Sequence, residues 1–204
     1  MLKKLNVGDR FIFGLMNPNR PSSLARRVND PPDFQIVDPR LYKLRHARAN
    51  PVAASVPTAS PVELGQHADP SRNFQWLPWL PGLVSFVPVP PNLPIVTGEM
   101  TGCWLALFRL GGVLCFGHIG TEGGTNAPNT TRAKQAWKIA ERAGLIQPVK
   151  AFLPRATVPG ADKVLGALSA NHHFYTLNLM RVANAYEVKG VVRTHRDGNA
   201  PNLT

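Results

Sequence analysis

The chain is poor in cysteine and in charged residues, and these shortages exclude several classes of protein. Two cysteines in 204 residues cannot form the disulfide framework of a small secreted domain, so we expect both to be reduced, as in a cytosol. No apolar run is long enough for a secretory signal or a membrane-spanning helix. Zinc-finger spacing, ribonucleoprotein aromatic motifs and long basic helices are also missing, which argues against specific nucleic-acid recognition.

Proline, glycine and positive charge are plentiful. Twenty prolines and seventeen glycines, with only 17% charged residues, predict many turns and short strands rather than a helical bundle. The 23 lysines and arginines outnumber the 12 acidic residues and give a formal charge of +11. This charge favours an anionic partner surface, although a basic protein without such a partner has the same composition.

The length predicts a single domain over residues 1–204. Within it we expect an N-terminal arm with a Pro/Ala-rich connector over 1–72, followed by a core over 73–204. The stretch Pro51–Pro70 is typical of an extended connector rather than a packed element. Local patterns predict strands at Arg10–Leu15, Phe34–Val37 and Leu83–Val89, and a helix that begins at Asn129 or Thr130, is anchored by Trp137 and ends at Gly144.

A hairpin in the middle of the chain carries the strongest clue to function. Gly111-Gly112 lies between two apolar runs and predicts a two-residue turn, because both central residues of a type I′ turn need positive φ. Counting outward from the turn pairs Leu105 with His118. Cys103, two residues before Leu105, then lies on the same face as His118 and is its diagonal neighbour. The register therefore predicts a thiol and an imidazole close together.

This pair has the parts needed for acyl transfer. Cys103 is the candidate nucleophile and His118 the candidate base that makes its thiolate. A base needs a third group to hold its ring, and Thr97, through its hydroxyl or its carbonyl, is the candidate. Gly102 is expected to let another backbone approach closely, and the amide N–H groups around Cys103, in the segment with Thr101, are candidates for an oxyanion site. Cys115 is interpreted as core filler.

The pattern Thr97-x-x-Met100-Thr101-Gly102-Cys103, with His118 fifteen residues further on, resembles the active-site segment of bacterial protein-glutamine deamidases. This group includes the cytotoxic necrotizing factors, the chemoreceptor glutamine deamidases and the Burkholderia lethal factor. The last is the best match, because Trp76-Leu77-Pro78-Trp79 and the segment from His118 to Trp137 are also similar to it. The resemblance covers about Trp76 to Trp137. Thr101 stands where the family has serine, and the loop after His118 is longer here.

The resemblance implies an α/β (α+β) fold of the necrotizing-factor type, in which a mixed or antiparallel β-sheet sandwich is flanked by helices. It implies a catalytic Cys103, His118 and Thr97 that hydrolyse a glutamine side-chain amide of a protein substrate, without metal or cofactor. It also implies a secreted bacterial toxin or effector that needs no cleaved signal and acts in the target-cell cytoplasm. His172-His173 is not predicted to bind metal, because adjacent residues of a strand point to opposite faces and no ligand-spaced partner accompanies them.

Two alternatives stay open. A papain-like cysteine peptidase, a transglutaminase or an amidase uses the same nucleophile, but usually presents it at a helix N-terminus with the histidine far downstream. A basic, non-enzymatic binding module with a structural cysteine is the rival from another class. Neither the substrate protein nor the oligomeric state follows from the sequence.

Overall fold

The structure is a computed structural model that describes residues 10–12, 31, 34–36, 40–46, 61–66, 74–80, 82–120, 129–182, 185–194, 198 and 201. The described part is mostly β-sheet. Its thirteen strands are β1 (Arg10–Ile12), β2 (Phe34–Ile36), β3 (Arg40–His46), β4 (Pro61–Gln66), β5 (Phe74–Pro78), β6 (Val84–Pro88), β7 (Ile95–Gly98), β8 (Trp104–Leu110), β9 (Val113–Ile119), β10 (Ile146–Phe152), β11 (Lys163–Leu168), β12 (Phe174–Val182) and β13 (Ala185–Thr194). Its one helix is α1 (Asn129–Arg142).

Eight of these strands form a sheet that closes on itself. The strand order is β1-β13-β12-β11-β7-β5-β3-β4, and β4 pairs again with β1. The β1–β4 and β5–β7 pairs are parallel, and the other pairs are antiparallel. The N-terminal strands β1, β3 and β4 thus hydrogen-bond into the same sheet as strands from the region that the sequence assigns to the core.

The remaining five strands form a second sheet, in the order β10-β8-β9-β6-β2. The predicted hairpin is its centre: β8 and β9 pair from Leu110–Val113 at the turn to Trp104–Ile119 at the far end. Gly111 and Gly112 both have positive φ, 56° and 82°, as a two-residue turn of this kind requires. The predicted register is therefore confirmed, including the pairing of Leu105 with His118.

Alternation along the strands divides the buried apolar side chains into three layers. The first contains only residues of the closed sheet and fills its interior: Phe74, Trp76, Val96, Leu165, Ala167, Leu177, Leu179 and Val188. The second lies between the two sheets, because both contribute to it: Leu77, Leu80, Val87, Ile95, Met100, Cys103, Leu105, Leu107, Phe116, Phe152, Val164, Leu168 and Phe174. We call it the inter-sheet layer. The third joins the second sheet to α1 and is built around Phe34, Phe108 and Trp137.

Helix α1 begins and ends as the sequence predicts. Gly144 has a φ of +68° and donates its N–H to Glu141 O, while Leu145 donates to Ala140 O. These two bonds form a Schellman motif, which satisfies carbonyls that the helix end leaves open. Trp137 is fully buried against Phe108 and Phe34, and burying an aromatic side chain of this size contributes about 2–3 kcal/mol.

Two sequence expectations need correction. Residues 61–66 form strand β4 rather than part of a connector, and Pro61 is compatible with this because it is the first residue of the strand; the rest of Pro51–Pro70 lies outside the described residues. His172 and His173 lie in the turn before β12, where His172 has a φ of 57°, and not on a strand. The two sheets and the one helix of the described residues agree in general terms with the expected mixed α/β class. The strands predicted at Arg10–Leu15, Phe34–Val37 and Leu83–Val89 are confirmed over Arg10–Ile12, Phe34–Ile36 and Val84–Pro88.

Within the same ranges, no helix is both long enough and apolar enough to cross a membrane.

Candidate active site

The hairpin places the thiol and the imidazole in one layer. Cys103 immediately precedes β8, and its side chain belongs to the inter-sheet layer with that of Leu105. His118 lies on β9 and pairs with Leu105 of β8. It is two residues from Phe116, another member of that layer, so both side chains point to the same side of the sheet. Both sequence-predicted groups therefore face the closed sheet. Cys115 faces the opposite side, toward α1, so the interpretation of this residue as core filler agrees with its position.

Thr97 reaches His118 from the closed sheet. It lies on β7, and its Oγ1 is 2.8 Å from His118 Nδ1. The same hydroxyl donates a hydrogen bond of 2.7 Å to Leu77 O on the neighbouring strand β5. All three groups are buried. The hydrogen bond between Thr97 and His118 thus crosses from one sheet to the other.

This arrangement determines where the ring proton of His118 lies. Because Thr97 has a single hydroxyl proton and gives it to Leu77 O, its oxygen can only accept from His118 Nδ1–H. In the neutral ring, Nε2 then carries the lone pair. Within the described part of the chain, Nε2 has no hydrogen-bond partner, so the structure does not show the expected bond between Nε2 and the Cys103 thiol. His118 is therefore held with its basic nitrogen available to a proton donor.

Burial keeps the ring neutral. Both His118, with none of its surface exposed, and Cys103, 1% exposed, are shielded from solvent. Desolvation lowers the pKa of His118 from its ordinary 6.5 to about 3. At pH 7 the site therefore holds an uncharged imidazole, and its base strength is low until the ring is hydrated.

A glycine allows the two sheets to approach at this point. Gly166 on β11 is the Cα partner of Thr97, and it lies opposite Leu105, the partner of His118. A Cβ atom at Gly166 would be 2.1 Å from Leu105 Cδ1 and 3.2 Å from Pro154 Cγ. Because there is no side chain at this position, Leu105 packs directly on the closed sheet. The close approach brings His118 within hydrogen-bonding distance of Thr97.

The segment before the nucleophile runs from the surface into the core. Met100 is buried and donates its N–H to Val164 O, whereas Thr101 and Gly102 are exposed and Cys103 is buried again. Gly102 has a φ of +110°, and a Cβ atom there would meet nothing within 4 Å. The expectation of a close backbone approach at Gly102 was wrong, since the position needs glycine for its backbone conformation. Thr101 and Gly102 are the exposed residues nearest to the thiol along the chain.

An ion pair borders this segment. Glu99 pairs with Lys163 at the start of β11, and the Lys163 ammonium also lies 4.9 Å from the centre of the Tyr186 ring. Together with the Met100–Val164 hydrogen bond, this contact attaches the segment before Cys103 to the closed sheet. No group of three or more metal-ligating side chains occurs among the residues that the structure describes.

Sequence reasoning missed two residues beside this site, Gly166 and Ser85. Ser85 lies on β6, is fully buried, and donates a hydrogen bond of 2.7 Å to Pro78 O. Its one sequence signal is a single hydroxyl in the apolar run from Leu83 to Val89. Gly166 gives no local signal, because its role depends on the side chain of the opposite sheet.

Comparison with protein-family models, with curated proteins and with solved structures found no match for this chain.

Proposed function

We propose that the protein is a protein-glutamine deamidase, a bacterial toxin or effector that converts a glutamine side chain of a target protein to glutamate. The observation that carries the proposal is the hydrogen bond from His118 Nδ1 to Thr97, which leaves the Nε2 lone pair available on the face that also holds Cys103. A nucleophile, a base and a group that orients the base are the three parts that thiol-dependent acyl transfer requires.

The reaction has two halves. Cys103 gives its proton to His118 Nε2, and the thiolate attacks the carbon of the glutamine carboxamide. The tetrahedral oxyanion collapses as the imidazolium gives that proton to the departing nitrogen, so ammonia leaves and a thioester remains. Water then gives a proton to Nε2 and attacks the thioester carbon. The C–S bond breaks, the thiol regains its proton, and the product is a carboxyl group that ionises.

Thr97 orients His118 throughout, because its hydroxyl accepts from Nδ1–H and is itself held by Leu77 O. The imidazolium that forms in each half keeps this bond, since Nδ1 is a donor in both charge states. Backbone N–H groups in the segment Thr101–Cys103 are the candidates for stabilising the oxyanion.

A substrate glutamine reaches the thiol past Thr101 and Gly102, because these residues are exposed and adjoin the buried Cys103. Opening of this edge hydrates His118 and returns its pKa toward the ordinary value, so the base gains strength when the site opens. The structure with His118 buried and uncharged is accordingly a resting state. The substrate is a protein.

The two-sheet architecture with α1 packed outside supports a fold of the necrotizing-factor type as part of the same proposal. In this reading the effector leaves the bacterium without a cleaved signal and acts in the target-cell cytoplasm. A new negative charge at a functional glutamine would lock or inactivate its host protein.

The position of Cys103 distinguishes this proposal from a papain-like mechanism. Cys103 enters strand β8, whereas the helix among the described residues begins at Asn129. The described residues also bring His118 onto the adjacent strand, fifteen residues after the cysteine. A basic binding module would need neither this spacing nor the bond between His118 and Thr97.

A mass-spectrometric search for glutamine-to-glutamate conversion tests the function. Eukaryotic and bacterial lysates are treated with the wild-type protein, with Cys103→Ala and, as the matched control, with Cys115→Ala. We expect sites that the wild type and Cys115→Ala convert and Cys103→Ala does not. Peptide cleavage or cross-linking in place of conversion would favour the peptidase or transglutaminase, and polyanion binding unaffected by Cys103→Ala, without any reaction, would favour the binding module.

A further inference from the structure

Two consecutive carbonyl groups at the end of β5 accept hydrogen bonds from buried hydroxyls. Leu77 O accepts from Thr97, and Pro78 O accepts from Ser85 at 2.7 Å. Thr97 lies in the same sheet as β5, but Ser85 lies on β6 in the second sheet. The bond from Ser85 to Pro78 therefore joins the two sheets, as the bond from His118 to Thr97 does.

These two crossings are neighbours. Ser85 is the Cα partner of His118 across the β6–β9 pair, and Pro78 follows Leu77. In the described pairing, β3 accompanies β5 only as far as Trp76, so β3 does not pair with Pro78. Ser85 donates to Pro78 O, and this bond joins β6 to β5. Because β6 pairs with β9, the bond also connects β9 to the end of β5, where Leu77 O accepts from Thr97.

We propose that Ser85 is a positioning residue for His118. The effect of this positioning on catalysis rests on the proposed function. The bond between Thr97 on β7 and His118 on β9 joins the sheets by hydrogen bonding at one point, and hydrogen bonds weaken steeply with distance and angle. The second crossing, one strand away, resists movement of the two sheets against each other. Ser85 thereby keeps Nδ1 of His118 on Thr97 and its Nε2 lone pair toward the layer of Cys103, although it does not touch the reacting atoms.

Nuclear magnetic resonance of the His118 ring, in protein labelled with ¹⁵N at histidine, tests this role without a substrate. The two ring nitrogens report which one carries the proton, and neutral pH keeps the ring uncharged. In the wild type we expect the Nδ1–H form to predominate over a minor, measurable Nε2–H form. In Ser85→Ala we expect the ratio of Nδ1–H to Nε2–H to fall by at least about threefold, the effect of weakening one hydrogen bond. Ser85→Thr, which keeps the hydroxyl, restores the wild-type ratio.

Thr176→Val is the matched control, because it also removes a buried hydroxyl, one that bonds to Thr194 at 2.9 Å. A general loss of packing would disturb His118 equally in both variants, whereas positioning by Ser85 disturbs it in Ser85→Ala alone. An unchanged proton ratio in Ser85→Ala, or an equal change in Thr176→Val, would overturn the inference. The wild-type lysate experiment is separate: failure to deamidate any protein would reject the proposed function and leave the ring measurement valid.

Discussion

Acid should destabilise this protein through His118, by an amount that follows from its burial. The folded ring has a pKa of about 3, whereas the unfolded ring has the ordinary 6.5. Between these values the unfolded chain binds a proton that the folded chain rejects, so stability is complete above pH 6.5 and declines as the pH falls toward 3. At pH 5, about 1.5 pH units below the unfolded value, the loss from this one group is about 2 kcal/mol.

Urea unfolding at pH 7 and pH 5 measures this loss. His118→Asn is the comparison, because the asparagine amide keeps a donor near the position of Nδ1 but does not titrate. Other histidines and the carboxyl groups titrate in both proteins and cancel in the difference. We expect the wild type to lose about 2 kcal/mol more than His118→Asn between the two pH values. Equal losses would show that His118 is not a buried neutral group, and would refute the argument for a fixed basic Nε2.

Two substitutions test the contacts that hold the ring. Thr97→Val should lower the free energy of unfolding by about 1–3 kcal/mol, because Leu77 O and the His118 Nδ1–H each lose a buried partner. Thr97→Ser keeps the hydroxyl and should cost less. Urea titrations that rank the two variants in the opposite order would contradict this. Gly166→Ala should lower the free energy of unfolding by about 1–3 kcal/mol, because the added Cβ overlaps Leu105. The loss should be smaller in a Leu105→Ala background. A double-mutant cycle with no coupling would exclude that contact as the cause.

The hairpin and the helix were predictable because their signals are local. Gly111-Gly112 fixes the turn, and counting from it gives the strand register down to His118, since side chains alternate strictly along a strand. The same count is enough to put Cys103 and His118 on one face of the second sheet. Helix α1 likewise ends at Gly144, where a positive φ is required.

The closed sheet was not predictable in the same way. Thr97 lies beside Leu77 and Gly166 because β7 pairs with β5 and β11, which are distant in sequence and carry no turn signal between them. Chemical need and the family resemblance predict Thr97 as a partner for the imidazole, but its position across the sheets depends on long-range strand pairing. Ser85 and Gly166 acquire meaning only from the sheet that faces them.

The rate at which each thiol is alkylated shows whether His118 activates Cys103. Iodoacetamide labelling of Cys103 and Cys115, followed peptide by peptide from pH 5 to pH 9, is compared in the wild type and His118→Asn. We predict that His118→Asn slows the labelling of Cys103 about tenfold at pH 7 and leaves that of Cys115 unchanged. Identical pH profiles for Cys103 in the two proteins would contradict this activation.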